Sequence, residues 1–193
     1  MRIILASKSP RRVDILRQVG VNFEVMPANI DESVNSSLSP ERAVVEISKR
    51  KAKSIAEMVK DENAFIISAD TVVSVDGEII GKPKDTEDAK SILHKLSART
   101  HYVFTGFTIC THGKMYSESV KTEVDFRHLT DDEIELYVDS HEPDDKAGAY
   151  AIQERGAVFV KEIRGDYYNV IGLPICRLCE AAKSEFDIIL ESF

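Results

Sequence analysis

The 193-residue chain has no tryptophan, only three cysteines, nine glycines and six prolines. Three cysteines cannot build a disulfide framework, and Cys176 and Cys179 lack the second Cys or His pair that a zinc site needs. So little glycine and proline excludes a collagen-like or low-complexity chain, and 43% hydrophobic with 30% charged residues excludes disorder. No apolar run approaches the roughly 20 residues that cross a bilayer. The opening MRIILASKSPRR is a short apolar stretch between charges rather than a signal peptide, so a cytoplasmic protein without a membrane partner is expected. Basic side chains number 25 against 33 acidic ones, and a net charge of −8 argues against a nucleic-acid partner, which would call for a basic face. The exception is local: the first twenty residues carry Arg2, Lys8, Arg11, Arg12 and Arg17 against Asp14 alone. An anionic ligand has to be held by such an island.

The length suits one domain spanning residues 1–193. Residues 2–6 read as a buried strand and 10–19 as a helix ending at Gly20, with Ser9 at the N-cap and Pro10 in the first turn. Ser39 and Pro40 repeat that start signal before a helix of about twenty residues. The β-branched run 65–75 reads as a buried strand that Asp76-Gly77 turns into a hairpin. A helix capped by Asp85 follows, then strands 101–111 and 114–126 around His112-Gly113, a helix after Thr130, a long polar loop at 141–156, a strand at 157–163 and a helix from Pro174. In that last helix Cys176, Leu178, Cys179, Ala182 and Phe186 fall on one side, which favours packing over thiol chemistry. Alternating strands and helices with two hairpins predict an α/β fold with a mixed sheet, split into lobes around a cleft.

Several residues are placed where chemistry is feasible. The loop Ser7-Lys8-Ser9 feeds a helix whose first turn is Pro10-Arg11-Arg12, so backbone N–H groups, hydroxyls and guanidinium groups meet at a positive helix end, a phosphate cradle unlike the Walker loop. A serine cap with solvated arginines is the alternative. Lys51 lands in the middle of the helical stripe Val44, Ile47, Ile55 and Met58, where it either snorkels or meets an anion. Asp70 follows an apolar strand, and open α/β sheets hold ligands beyond their carboxyl ends. A carboxylate there binds a divalent metal, takes a proton from water, or merely caps a turn. If Val75 faces Glu78 across the hairpin, counting back pairs Thr71 with Lys82. Asp31 and Glu32 form an adjacent carboxylate pair suited to Mg²⁺, although surface loops carry such pairs routinely.

Together, LASKSPRR at 5–12, SADTVV at 68–73, GKPKD at 81–85, EPDDKAGAYAIQ at 142–153 and GDYYNVIGLP at 165–174 resemble the Maf family of nucleoside triphosphate pyrophosphatases over nearly the whole chain. The resemblance implies an elongated mixed sheet flanked by helices, with two lobes around an active-site cleft, as in the inosine triphosphate pyrophosphatases. It also implies hydrolysis of a nucleoside triphosphate between the α- and β-phosphates with a divalent cation, Mg²⁺ or Mn²⁺. Asp70 matches the family's proton acceptor and a metal position. Ser7, Arg12, Lys51 and Lys82 match its phosphate-binding positions, and Glu32 an acidic position near the metal. A homodimer is expected on the resemblance alone.

Arg11, Thr71 and Gln153 match the specificity positions of the branch that acts on thymidine and uridine triphosphates; a sister branch for methylated purine nucleotides carries Trp at the first Arg position. An amide such as Gln153 offers both a donor and an acceptor, the complement of a uracil or thymine edge. Glu154 stands where the family usually continues with Gly, which bears on fine specificity more than on the reaction. Modified pyrimidine nucleotides are substrates of the same class. The competing expectation is a nucleotide-binding regulator of septum formation with no enzymatic activity. An inosine or xanthosine triphosphatase is disfavoured by Gln153.

Overall fold

Strand β1 (Ile3–Leu5) is an apolar triplet that pairs in parallel with β2 (Glu24–Val25) on one side and with the start of β3 (Phe65–Val75) on the other. This is seen in a computed structural model that describes residues 1–35 and 37–190. Parallel neighbours need crossovers, supplied by α1 (Pro10–Gln18) between β1 and β2 and by α2 (Pro40–Val59) between β2 and β3. The rest of the sheet is antiparallel. β4 (Glu78–Ile80) folds back on β3, β5 (Thr100–Thr111) pairs with the opposite edge of β3, and β6 (Lys114–Phe126) and β7 (Val160–Arg164) follow. Helices α3 (Thr86–Leu96), α4 (Asp131–Val138), α5 (Tyr167–Ile171) and α6 (Ile175–Phe186) complete the mixed α/β fold. No helix among the described residues is long and apolar enough to cross a membrane.

One feature of the sheet decides where a ligand can go. β1 pairs with Phe65–Ile67 and β4 with Val73–Val75, both on the edge of β3 that faces away from β5. Among the described residues nothing pairs with residues 68–72 on that edge, so the sheet opens there. Its hydrophobic core divides at the same place: Val73, Val75 and Ile80 pack with α3 and α4, whereas Leu5, Phe65 and Ile67 pack with α1 and α6. Side chains of β3 alternate across the sheet. Ile66 joins Ile4, Ala52 and Ile55 under α2, and Ile67 and Ala69 join the α1/α6 side. By that parity Asp70 faces α2 and Thr71 faces α1.

Helix α2 can lie close because residue 106 of β5 is glycine: a Cβ there would sit 2.5 Å from the Val44 backbone carbon. Buried hydroxyls then lock the helix in place. Ser48 Oγ is 2.8 Å from Thr108 Oγ1, and Ser68 Oγ donates to the Ser48 carbonyl at 2.7 Å.

Both two-residue hairpins form, with Val75 opposite Glu78 and Thr111 opposite Lys114. The extrapolated Thr71–Lys82 pair does not, because the ladder ends at Val73–Ile80 and the chain then bends away, Gly81 offering its carbonyl to the N–H of Gly148. Asp85 caps α3 as expected, its side chain accepting from the Asp88 N–H at 2.8 Å. Ser9 and Ser39 hold their N-cap positions without a side-chain bond. The 157–163 stretch begins as a 3₁₀ turn (Arg155–Phe159), and the strand is shifted to Val160–Arg164. Short 3₁₀ turns also order the long loop, and β2 and α5 form where no element was expected. Met58 and Cys176 are exposed rather than packed, since each lies at the margin of its helix's apolar face.

His101, wholly buried on β5, shares a 2.9 Å hydrogen bond between Nε2 and the Tyr150 hydroxyl, and its Nδ1 has no hydrogen-bond partner among the described residues. Burial lowers its pKa from 6.5 to about 4, so the folded protein holds it neutral. The unfolded chain binds the proton first as pH falls, and stability present above pH 6.5 is lost on the way down to 4. Between pH 7 and pH 5 this one group should remove about 2 kcal/mol. Urea denaturation at the two pH values checks it: His101→Gln should lose correspondingly less than the wild type. An equal loss in both would show that other groups govern the acid limb.

Candidate active site

The opening in the sheet leads into a cleft of about 660 Å³. All nine residues expected at the site from sequence line it: Ser7, Arg11, Arg12, Glu32, Lys51, Asp70, Thr71, Lys82 and Gln153. They come from the turn after β1, α1, the segment between β2 and α2, α2, the gap in β3, the bend after β4, and the 151–156 loop.

On the α2 side, the buried Lys51 ammonium lies 2.8 Å from Asp70 Oδ1 and 3.0 Å from Glu32 Oε1. The lysine therefore meets anions rather than snorkelling. Asp70 is 8% exposed, whereas the Glu32 side chain is 59% exposed, so the pair joins a fixed carboxylate to one that faces solvent. Asp31 does not join them: its carboxylate turns back on Ser33, accepting from the backbone N–H at 2.8 Å and the hydroxyl at 2.6 Å. This local turn satisfies Asp31 outside the cleft.

On the α1 side, Arg12 is 9% exposed and forms a three-way brace. Nε donates to the Gly172 carbonyl at 2.7 Å, Nη1 to Ser7 Oγ at 3.2 Å and Nη2 to Thr71 Oγ1 at 3.0 Å. A guanidinium has five N–H donors, so two remain for a ligand. Burial lowers the Arg12 pKa below the ordinary guanidinium value, with Asp70 opposing that shift. Ser7 Oγ also accepts from the Ser9 N–H at 3.1 Å, which sets the turn into α1.

Sequence reasoning missed what holds this brace. Asn169, wholly buried on α5, donates to the Val103 carbonyl at 3.0 Å and to Thr122 Oγ1 at 2.9 Å, and it accepts from the Thr105 N–H at 3.1 Å. Thr105 Oγ1 lies 2.9 Å from Thr71 Oγ1, so a continuous hydrogen-bonded chain runs from Asn169 to Arg12. The GDYYNVIGLP block reads from spacing as turn chemistry; its role appears only when α5 docks against β5. Lys146 was missed as well. It is buried, lines the cleft and pairs with Asp145. The hydrogen bond from Lys146, helped by the charges of Arg11 and Lys82, holds the Asp145 carboxyl below its ordinary pKa, which marks a convergence of cations on that wall. The exposed Lys82 and Gln153 complete the rim.

A buried carboxylate against an ammonium, faced by several cations and free N–H donors, suits a polyanion and a water to be activated beside it. Among the described residues no group of three or more His, Cys, Asp or Glu side chains could hold a metal ion by itself. Asp70 and Glu32, which converge on one ammonium, match a cation that takes one or two carboxylates and completes its shell with substrate oxygens and water.

Residues 2–185 match the profile of the family described as Maf-like protein. The chain is 46% identical over 192 residues to a dTTP/UTP pyrophosphatase of Thermoanaerobacter sp. (strain X514), covering 98% of this chain and 100% of the relative. It is 47% identical over 191 residues to a dTTP/UTP pyrophosphatase of Alkaliphilus metalliredigens, covering 98% of each. Among solved structures it is similar to the Staphylococcus aureus Ham1 protein, with 14% identity, a TM-score of 0.43, and coverage of 81% of this chain and 90% of that one.

Proposed function

The chain belongs to the Maf-like protein family, and from that membership and the contents of the cleft we propose that it hydrolyses dTTP and UTP to the nucleoside monophosphate and pyrophosphate. The observation that carries the reading is Asp70, buried at the gap in β3 against Lys51, in the same cleft as Arg11, Arg12, Lys82 and Lys146. The triphosphate lies along those cations and the turn into α1, with the free Arg12 donors and Lys82 on its oxygens. Asp70 accepts a proton from the water that attacks the α-phosphorus. A new P–O bond forms, the bond to the bridging oxygen breaks, and pyrophosphate leaves against the positive wall. Lys51 keeps Asp70 oriented and offsets the charge gathered at the phosphates.

The donor set suits Mg²⁺ or Mn²⁺, which Asp70 and Glu32 would hold together with phosphate oxygens. Such an ion supplies Lewis-acid polarisation of the phosphoryl group. Arg11, Thr71 and Gln153 line the same cleft; in this reading they set substrate choice, the Gln153 amide matching the donor and acceptor pattern of a uracil or thymine ring. Glu154 is exposed and is not among the residues that line the cleft, and its φ of −120° lies outside the left-handed region that would call for glycine.

A regulator that signalled by occupancy would need the cations and the base contacts, but not a carboxylate held beside the scissile phosphate. The test is an end-point assay of the purified protein with Mg²⁺ or Mn²⁺ against dTTP, UTP, CTP, ATP, GTP and ITP, separating pyrophosphate from phosphate. Pyrophosphate released chiefly from dTTP and UTP is expected. Release of single phosphates, or nucleotide binding without turnover, would overturn the assignment.

A further inference from the structure

The loop that carries Gln153 is pinned at both ends by two side chains from outside the phosphate-binding set. Tyr137, buried on α4, donates from its hydroxyl to Glu142 Oε1 at 2.8 Å and accepts from the Ala151 N–H at 3.2 Å. Glu142 accepts twice more, Oε1 from the Gly156 N–H at 3.1 Å and Oε2 from the Arg155 N–H at 3.2 Å. Residues 151 and 155–156 are thereby fastened to one phenol–carboxylate pair, and Gln153 stands at the apex between them. The ends are also pressed together: a Cβ on Gly156 would lie 2.8 Å from the Ala151 carbonyl oxygen and 2.9 Å from the Tyr137 hydroxyl, so only glycine lets the turn close this tightly. Burial and the bond to Glu142 raise the phenol pKa, which keeps the hydroxyl a donor.

We infer that Glu142 and Tyr137 are positioning residues for base selection, holding the 151–156 turn so that the Gln153 amide meets the base at a fixed distance and angle; this rests on the reading of Gln153 given above. The physical basis is preorganisation. An exposed amide on a mobile turn would rotate to suit any base edge, whereas one on a turn held at both ends discriminates between donor and acceptor patterns. A carboxylate accepting two backbone N–H groups makes charge-assisted bonds, stronger than the neutral turn bonds they replace.

Glu142→Gln and Tyr137→Phe test this, with selectivity across the six triphosphates measured both as kcat/KM and as Kd for their α,β-methylene analogues. Each variant should keep kcat for the preferred triphosphate within about threefold, raise its KM about tenfold and cut the preference for UTP over CTP about tenfold. Hydrogen exchange at the amides of 151, 155 and 156 should speed up by at least about tenfold, since their acceptors are weakened or lost. Unchanged selectivity, or an equal loss for all six triphosphates accompanied by a lower Tm, would reduce the pair to structural support and overturn the inference. A wild type without preference among the six would overturn it too. If the wild type prefers some other triphosphate, the dTTP/UTP reading fails, and the same ratio taken for that triphosphate still decides whether the clamp sets selectivity.

Discussion

Asp70→Asn is expected to cost about 10²- to 10⁴-fold in kcat for dTTP and UTP, the range for losing a positioned general base. Nucleotide affinity measured without the divalent cation should hold or rise. The amide is nearly the same size as the carboxylate, and its oxygen can still accept from Lys51 Nζ, which sits 2.8 Å from Oδ1 in the wild type. What disappears is the capacity to take a proton and one negative charge near the phosphates. A lower kcat without a matching rise in KM therefore separates a role in the chemical step from a role in binding. Steady-state kinetics together with calorimetric titration of a non-hydrolysable triphosphate measure both halves. Wild-type turnover in the variant would remove Asp70 from the reaction.

Arg12→Ala should be the most damaging single change to the fold and the site together. The guanidinium is buried with three protein acceptors, the Gly172 carbonyl, Ser7 Oγ and Thr71 Oγ1. Truncation leaves a void and takes one buried, charge-assisted donor from each of the three, although Ser7 Oγ keeps the Ser9 N–H and Thr71 Oγ1 keeps Thr105, a combined loss of about 3–5 kcal/mol. For a chain of this size that lowers Tm by about 10 °C. Below the transition the folded fraction should still lose about 10²-fold in kcat/KM, because the donors aimed at the phosphates are gone. Arg12→Lys separates the two effects. It keeps a charge, but an ammonium cannot reproduce the planar fork, so Tm should recover in part while activity stays low. Calorimetry and kinetics on the same preparations check this; an alanine variant with unchanged Tm would mean that the brace carries no load.

Much of this molecule is governed by rules that act over a few residues. Asp76-Gly77 and His112-Gly113 specify tight turns through their backbone preferences, and both hairpins follow with the expected register. Asp85 caps α3 because its carboxylate reaches the N–H three residues on. Where a tertiary contact competes, the local reading slips. Thr71 does not face Lys82, since the chain leaves the ladder after Ile80 to meet Gly148. The 157–163 stretch gives up its first turn to close the loop held by Glu142. Lys146 and Asn169 lie inside the 142–153 and 165–174 blocks, yet nothing in their spacing separates them from ordinary loop residues. A buried amide is recognised by the groups that surround it, and those lie on other elements.

By itself, the sequence determined the alternation of strands and helices, the two hairpins, the cationic island at the start of the chain, and the five blocks that mark the family. Those properties rest on backbone preference, periodicity and residue type, all local in range. Only the tertiary structure decided that β1 and β4 share one edge of β3 and leave it open at residues 68–72, that Lys51 on α2 comes down onto Asp70 on the face that helix covers, and that Arg12 is braced by a carbonyl 160 residues away. These depend on which strands pair and on how closely helices can approach, a matter of packing among segments remote in sequence. The opening at that edge of β3 is what turns the scattered charges into one site.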